Sequence, residues 1–153
     1  MSLGLRSHAG SLLVAAIMWS VLGCQSPGMR SLMGPEDAEA SPNFTRTESG
    51  LKYRVLRKGN GNFPTASSSV NVDYKGWLED GEEFDSSYKR GKPASFGLGS
   101  VVPGWTEGLQ LVSEGGMIEL EIPPELGYGA AGSPGSIPPN ATLHFKVELH
   151  EVR

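Results

Sequence analysis

Residues 70–88 read VNVDYKGWLEDGEEFDSSY and contain two strand patterns joined by a turn. In the segment 70–77, apolar and polar residues alternate, which is typical of a strand with one buried face. Asp80-Gly81 then predicts a tight hairpin, because glycine adopts a positive φ without steric cost. The aromatic and acidic residues around Phe84 and Asp85 also raise the question whether Asp85 is a catalytic carboxylate.

The same alternation occurs in three other segments: LKYRVL at 51–56, MIELEI at 117–122 and LHFKVELH at 143–150. Each predicts a half-buried strand. The chain has 21 glycines and 11 prolines, a composition that favours many turns and short strands over long helices. Its length of 153 residues fits one globular domain.

One short helix is predicted between Trp105 and Ser113. Trp105, Leu109 and Val112 follow one another at i, i+4 and i+7, which places them on one apolar face. Together with the strands, this pattern predicts an α+β domain in which an antiparallel sheet packs against a single helix.

The beginning of the chain has the pattern of an export signal. Arg6 gives it a positive start, and residues 11–23 are an uncharged apolar run that is too short to span a bilayer. The run ends in VLGC, which resembles the lipobox of bacterial lipoproteins. We therefore expect residues 1–23 to be a signal peptide and Cys24 to be the lipidated first residue, which anchors the protein to a membrane.

An ordinary secretory cleavage site beside a buried free thiol is the alternative for this segment. Cys24 is the one cysteine of the chain and has no partner for an internal disulfide, so lipidation gives it a role. Gln25 and Ser26 stand where such signals often carry an aspartate for retention in the inner membrane. Their presence favours the outer membrane, facing the periplasm.

Residues 24–43 are rich in Ser, Pro, Gly and acidic residues and have no regular apolar period, which predicts a flexible linker. The folded domain is expected at residues 44–153. Loss of the signal peptide removes one cation out of 13 and no acid out of 17, so the mature chain carries a net charge of about −5. Nucleic acid is an unsuitable partner for such a chain.

Two patterns suggest cofactor chemistry and are better explained otherwise. GYGAAG at 127–132 fits the spacing of a dinucleotide-binding loop, but the prolines that follow disfavour the helix that this motif requires. His144 and His150 share the polar face of a strand but are separated by six residues, roughly 20 Å at the rise of a strand. We therefore predict neither a cofactor nor a metal ion.

Three separated segments resemble the FKBP family of peptidyl-prolyl cis-trans isomerases: VDYKGWLEDGEEFDSS, GWTEGLQLVSEGG and IPPELGYGAAGSPGSIPPNATLHFKVEL. The resemblance extends from about Thr47 to Val152. It implies a curled antiparallel sheet of five to six strands wrapped around one short α-helix, and catalysis of X-Pro bond rotation in proline-containing polypeptides. Macrolide inhibitors are a further class of ligand that the family implies.

The resemblance also implies a pocket and a role for each of its residues. Val102 is expected to donate its backbone N–H, and Tyr128 its hydroxyl, to carbonyl groups of the ligand, while Trp105 forms the floor. The catalytic group comprises Tyr74, Phe84, Asp85, Val102, Trp105, Tyr128 and Phe145, and the substrate-binding group comprises Phe96, Val101 and Ile137. Ala94, Ser133 and Ser136 depart from the bulkier residues common in the family, which leaves macrolide affinity and substrate preference open.

Two other functions compete with the enzyme. A non-catalytic module could bind proline-containing or unfolded chains, as a chaperone does, although the retained pocket residues argue against it. A structural lipoprotein without a ligand is the third reading. We expect a monomer, because the linker is shorter than the helical region through which dimerising members of the family associate.

Overall fold

The computed structural model describes residues 33–153. The predicted signal peptide, residues 1–23, and the predicted lipidation site Cys24 lie outside the described residues. Within residues 33–153, no helix combines the length and the apolar character that crossing a membrane requires.

Alternating sequence patterns become strands of one antiparallel sheet, as predicted. The sheet order is β1-β2-β6-β7-β3-β4, and β5 pairs with β3 beyond the end of its pairing with β4. The strands are β1 (Thr45–Arg46), β2 (Lys52–Arg57), β3 (Ser69–Leu78), β4 (Glu83–Ser86), β5 (Ala94–Gly97), β6 (Met117–Ile122) and β7 (Leu143–Val152). The expected antiparallel sheet over a short helix is confirmed, with seven strands because two short ones, β1 and β5, join it.

The hairpin between β3 and β4 follows the prediction from Asp80-Gly81. Gly81 has a φ of 87°, and Leu78 N donates a hydrogen bond of 2.9 Å to Glu82 O across the turn. The Asp80 side chain accepts a hydrogen bond of 2.9 Å from Glu82 N. The turn places Phe84 and Asp85 of β4 beside the middle of β3.

The α-helical segments of residues 33–153 are a single turn, α1 (Ser87–Arg90), and the helix α2 (Pro103–Leu109). Three short 3-10 helices lie at Leu98–Ser100, Pro124–Leu126 and Gly129–Ala131. The predicted bounds of the longer helix, Trp105 to Ser113, are wrong at both ends. Pro103 begins the helix because its fixed φ suits the first turn, where its missing N–H costs nothing. The α-helix ends at Leu109, and at this end a hydrogen bond joins residues three apart, with Leu111 N donating to Gly108 O at 3.1 Å.

Helix α2 lies directly on strand β6. A Cβ atom added to Gly104 lies 2.6 Å from Ile122 Cγ2, and one added to Gly108 lies 2.6 Å from Leu120 Cδ2. Both partners on β6 are fully buried. The two glycines therefore let the helix backbone approach the sheet, and the apolar core lies between these layers.

Residues 34–42, part of the predicted linker, contact the sheet. Gly34 N donates to Glu148 Oε1 at 3.0 Å, and Asp37 N donates to Leu56 O at 2.7 Å. Lys146 Nζ bonds to Glu36 Oε1 at 2.7 Å. These contacts run along the face of the sheet that is opposite α2, on which the charged residues of β2, β6 and β7 lie.

Candidate active site

A cavity of about 430 Å³ opens between the sheet and the start of α2. Strand β3, the hairpin strand β4, the turn before α2 and strand β7 each contribute side chains to it, so it forms where the sheet and helix separate. The residues that line it are Tyr74, Phe84, Asp85, Phe96, Ser100, Val101, Val102, Trp105, Tyr128 and Phe145.

Trp105 forms the floor of this cavity. It is 4% exposed, and three aromatic rings meet it nearly at right angles. The ring centroids of Tyr74 and Phe145 each lie 5.2 Å from that of Trp105, and the centroid of Phe96 lies 5.5 Å away. Such edge-to-face contacts stabilise aromatic clusters beyond their burial. The floor and walls are thus a closely packed and largely apolar surface.

A second pair of rings closes the side of the cavity beside the hairpin. Phe84 and Phe145 pack edge to face, with centroids 5.5 Å apart and an interplanar angle of 88°. Gly76 of β3 lies under both rings. A Cβ atom at this position lies 2.6 Å from Phe145 Cε1 and 2.7 Å from Phe84 Cζ. The absence of a side chain at Gly76 therefore makes room for the two walls.

One polar cluster borders the aromatic rings. The Tyr74 hydroxyl donates a hydrogen bond of 2.5 Å to Asp85 Oδ2, and Arg90 Nη1 donates to Asp85 Oδ1. Arg90 Nη2 also donates to the Tyr74 oxygen at 2.8 Å, with the guanidinium over the Tyr74 ring. All three groups are thus joined in one cycle, and Asp85 has a partner on each oxygen.

The protonation states of this cluster follow from those contacts. Burial alone raises the pKa of Asp85, but hydrogen bonds from Tyr74 and Arg90 outweigh it and hold the pKa below its ordinary value. Burial, together with the bond to Asp85, raises the pKa of Tyr74 to about 12. At neutral pH, Asp85 is therefore an ionised acceptor and Tyr74 a neutral donor.

Tyr128 and Val102 line the cavity, and each carries a hydrogen-bond donor without a partner in residues 33–153. Tyr128 is 44% exposed, and its hydroxyl bonds to none of the residues that the structure describes. The backbone N–H of Val102, at the start of α2, likewise donates no hydrogen bond within residues 33–153. Val102 O is occupied, since it accepts hydrogen bonds from Trp105 N and Thr106 N.

Nine of the ten residues predicted for the pocket line this one cavity. Ile137 does not: it is 7% exposed and belongs to the hydrophobic core. Sequence reasoning missed Ser100, which lines the cavity, and Arg90, which binds Tyr74 and Asp85. Sequence spacing gave no signal for Arg90, because it lies five residues after Asp85, outside the i+3 and i+4 spacings at which side chains meet on a helix, and Asp85 lies in β4.

His144 and His150, the two histidines considered as metal ligands in the sequence, lie outside the lining of the cavity. His144 stacks on Trp77, with ring centroids 5.8 Å apart, and His150 Nε2 lies 2.9 Å from Asp73 Oδ2. In the described part of the chain, no three His, Cys, Asp or Glu side chains are grouped as ligands for a metal ion.

A sheet over a short helix, with an aromatic cavity floored by tryptophan, is the architecture that the sequence resemblance implied. Residues 60–150 match the family model described as FKBP-type peptidyl-prolyl cis-trans isomerase. The chain belongs to this family.

Particular relatives share the sequence and the fold. FkpA of Escherichia coli strain K12, an FKBP-type peptidyl-prolyl cis-trans isomerase, is 57% identical over 107 residues, which cover 70% of this chain and 39% of FkpA. The peptidyl-prolyl cis-trans isomerase Mip of Coxiella burnetii is 47% identical over 112 residues, covering 73% of this chain and 49% of Mip. The crystal structure of E. coli FkpA has a TM-score of 0.71 at 53% identity, over 74% of this chain and 53% of that one.

The chain therefore spans between 39% and 49% of the length of these two curated relatives. The shared part contains the cavity and its walls, since the family match covers residues 60–150.

Proposed function

We propose that this protein is a peptidyl-prolyl cis-trans isomerase that accelerates rotation about X-Pro bonds in folding polypeptides. The observation that carries the proposal is the cavity of about 430 Å³ above Trp105, which is large enough for a prolyl ring and its neighbours. The family to which the chain belongs supports the same activity.

The chemistry of the reaction suits an apolar cavity. An X-Pro amide must lose its conjugation to rotate, against a barrier of about 18–20 kcal/mol, and no bond is made or broken. The twisted amide is less charge-separated than the planar one. A dry aromatic site that removes water from the carbonyl therefore favours the transition state over the ground state.

In this mechanism Trp105, Tyr74, Phe96 and Phe145 hold the prolyl ring and exclude water. The Val102 N–H and the Tyr128 hydroxyl, both without a partner among the described residues, donate hydrogen bonds to carbonyl groups of the substrate. Phe84 and Val101 close the sides, and Asp85 shapes the local field through its ionised carboxylate. Ile137 supports the core behind the loop that carries Tyr128.

A paired assay tests this proposal against a non-catalytic binding module. The first arm measures cis-trans exchange of a proline tetrapeptide, and the second measures suppression of aggregation of an unfolded protein. The proposal expects rapid exchange in the first arm that Phe84→Ala greatly reduces, because this change opens a wall of the cavity. Suppression of aggregation with no acceleration of exchange would instead assign the protein to the chaperone-like class.

Replacement of Asp85 by asparagine is expected to lower kcat/KM only about two- to fivefold, the effect of losing one half-exposed ion pair. Asparagine keeps an oxygen that accepts from Tyr74, and the reaction needs no proton transfer. Asp80→Asn in the exposed hairpin is the matched control and leaves kcat/KM unchanged. A thousandfold loss with Asp85→Asn in a folded protein would assign Asp85 a proton-transfer role.

The pH profile of the reaction is expected to be flat between about pH 6 and 9. Asp85 has a lowered pKa and stays ionised over this range, whereas Tyr74, with a pKa of about 12, stays protonated. The measurement is kcat/KM for a tetrapeptide in buffers of constant ionic strength. A bell-shaped profile with a midpoint near neutrality is incompatible with catalysis by desolvation alone.

We further propose that the protein acts as an exported monomer that is anchored by lipid on Cys24 and faces the periplasm from the outer membrane. The lipobox-like VLGC and the residues Gln25 and Ser26 support this location. Its substrates are then proline-containing polypeptides that fold in the envelope. Mass spectrometry of the mature N-terminus tests the anchor, since a diacylated or triacylated Cys24 is expected and an unmodified terminus contradicts it.

A further inference from the structure

Helix α1 contacts the polar cluster of Tyr74, Asp85 and Arg90 and also the outer face of the sheet, which is the face opposite α2, although the helix has just four residues. One turn of helix is not stable by itself. Its position therefore depends on contacts with the rest of the protein. Ser87 Oγ donates to Asp73 Oδ1 at 2.7 Å, and the Tyr88 hydroxyl donates to Glu148 Oε2.

The two carboxylates that hold α1 belong to adjacent strands. Asp73 of β3 pairs with Glu148 of β7 in the sheet register, so both side chains lie on the outer face. They are 3% and 6% exposed, respectively. Buried carboxylates are retained only where hydrogen bonds and charges compensate them, which makes these contacts specific in geometry.

Glu148 is held from two sides. Arg57 Nη2 and Gly34 N donate to its Oε1 at 2.9 Å and 3.0 Å, while Tyr88 binds its Oε2. Burial opposes the charged form, but the bonds from Tyr88 and Arg57 outweigh it and hold the pKa of Glu148 below its ordinary value. Glu148 is thus a fixed, ionised acceptor for the Tyr88 hydroxyl.

The last residue of α1 reaches the cavity. Arg90 binds Tyr74 and Asp85, two residues that line the cavity. The side chains of Arg90 and Asp85 are 44% and 40% exposed. An ion pair this accessible contributes little by itself, so its geometry depends on where the backbone of α1 places Arg90.

We propose that Glu148 is a positioning residue for the cavity: by binding Tyr88, it fixes α1 so that Arg90 is directed onto Tyr74 and Asp85. The effect on catalysis rests on the proposed isomerase activity, whereas the positioning of Arg90 does not. Glu148 lies on the opposite face of the sheet from the cavity and acts only through α1. Gly34 and Arg57 complete the arrangement by holding the carboxylate in place.

The test uses Tyr88→Phe, which keeps the ring and removes the hydroxyl that binds Glu148. We expect kcat/KM for a proline tetrapeptide to fall about three- to fivefold, no more than for Asp85→Asn, because both changes weaken the contacts that Arg90 makes at the cavity edge. In an Arg90→Ala background, the same change is expected to lower kcat/KM less than twofold further, since both changes act through Arg90. The proposal is overturned if the losses of kcat/KM in the two single variants multiply in the double variant. It is also overturned if Tyr88→Phe is as active as wild type.

A second readout needs no activity. In the ¹H–¹⁵N heteronuclear NOE of the Arg90 Nε–H group, the wild-type side chain is expected to be ordered and that of Tyr88→Phe mobile. Tyr53→Phe is the matched control, because it removes a hydroxyl from β2, which β6 and β7 separate from β3. If the wild-type protein is inactive, the isomerase function is refuted, and the order of Arg90 alone decides the positioning role. If Arg90 is as ordered in Tyr88→Phe as in wild type, the positioning role is refuted.

Discussion

Replacement of Gly76 by alanine is expected to lower kcat/KM for a proline tetrapeptide by about a hundredfold while the protein stays folded. The added Cβ lies 2.6 Å from Phe145 and 2.7 Å from Phe84, so at least one ring must move. Either movement distorts the wall that excludes water from the amide. The measurement is the exchange rate of the peptide, with circular dichroism to confirm the fold.

Gly97→Ala is the matched control for this change. Gly76 lies on β3 and Gly97 lies on β5, which pairs with β3, and a Cβ at Gly97 meets no atom within 4 Å. We expect its kcat/KM to equal that of wild type. Equal activity of Gly76→Ala and wild type would show that the positions of Phe84 and Phe145 do not limit the reaction.

The largest loss of stability is expected from Gly108→Val. The Cβ alone lies 2.6 Å from Leu120 Cδ2, and Leu120 is fully buried in the core, so it has no free space to enter. Overpacking at such a contact lowers the free energy of unfolding by about 3 kcal/mol. Valine has a better helix propensity than glycine, but this difference offsets only a fraction of the loss.

Urea unfolding measures this difference. Glu107→Val introduces the same side chain at the neighbouring helix position, which is only partly buried, and is expected to change the free energy of unfolding by about 0.5 kcal/mol or less. Equal losses for the two variants would show that the close approach of α2 to β6 does not determine stability.

Local patterns in the sequence were sufficient for the strands that alternate and for the hairpin at Asp80-Gly81. The two-residue strand β1 and the four-residue strand β5 were not predicted, because segments this short contain too few alternations to be distinguished from loops. The helix bounds were wrong for a related reason. Val112 is buried with the helix residues although it lies beyond the helix, so its apolar spacing extended the prediction too far.

The cavity required more than periodicity. Each aromatic residue alone fits an ordinary core position, and the family resemblance was needed to group six aromatic residues with Asp85, Val101 and Val102 around one cavity. Ile137 was assigned to the cavity by the same resemblance but lies in the core. The contact between Tyr88 and Glu148 joins residues 60 positions apart, a separation at which sequence spacing carries no information about geometry.

Asp85 shows how the structure sharpens a sequence hypothesis. In the sequence it is one of several acids near Phe84, whereas in the fold both of its oxygens are engaged, by Tyr74 and Arg90. A carboxylate with a lowered pKa and two fixed partners is a poor general acid or base at neutral pH. Its contribution lies in the field and shape of the cavity edge.

The most direct test of the central claim is exchange NMR on a proline tetrapeptide with a catalytic amount of the protein, in H₂O and in D₂O. Uncatalysed exchange takes tens to hundreds of seconds, so cross peaks between the cis and trans forms are weak without a catalyst. We predict strong cross peaks with the protein and the same exchange rate in both solvents, because no proton moves in the transition state. Exchange at the rate of the buffer alone would contradict the account.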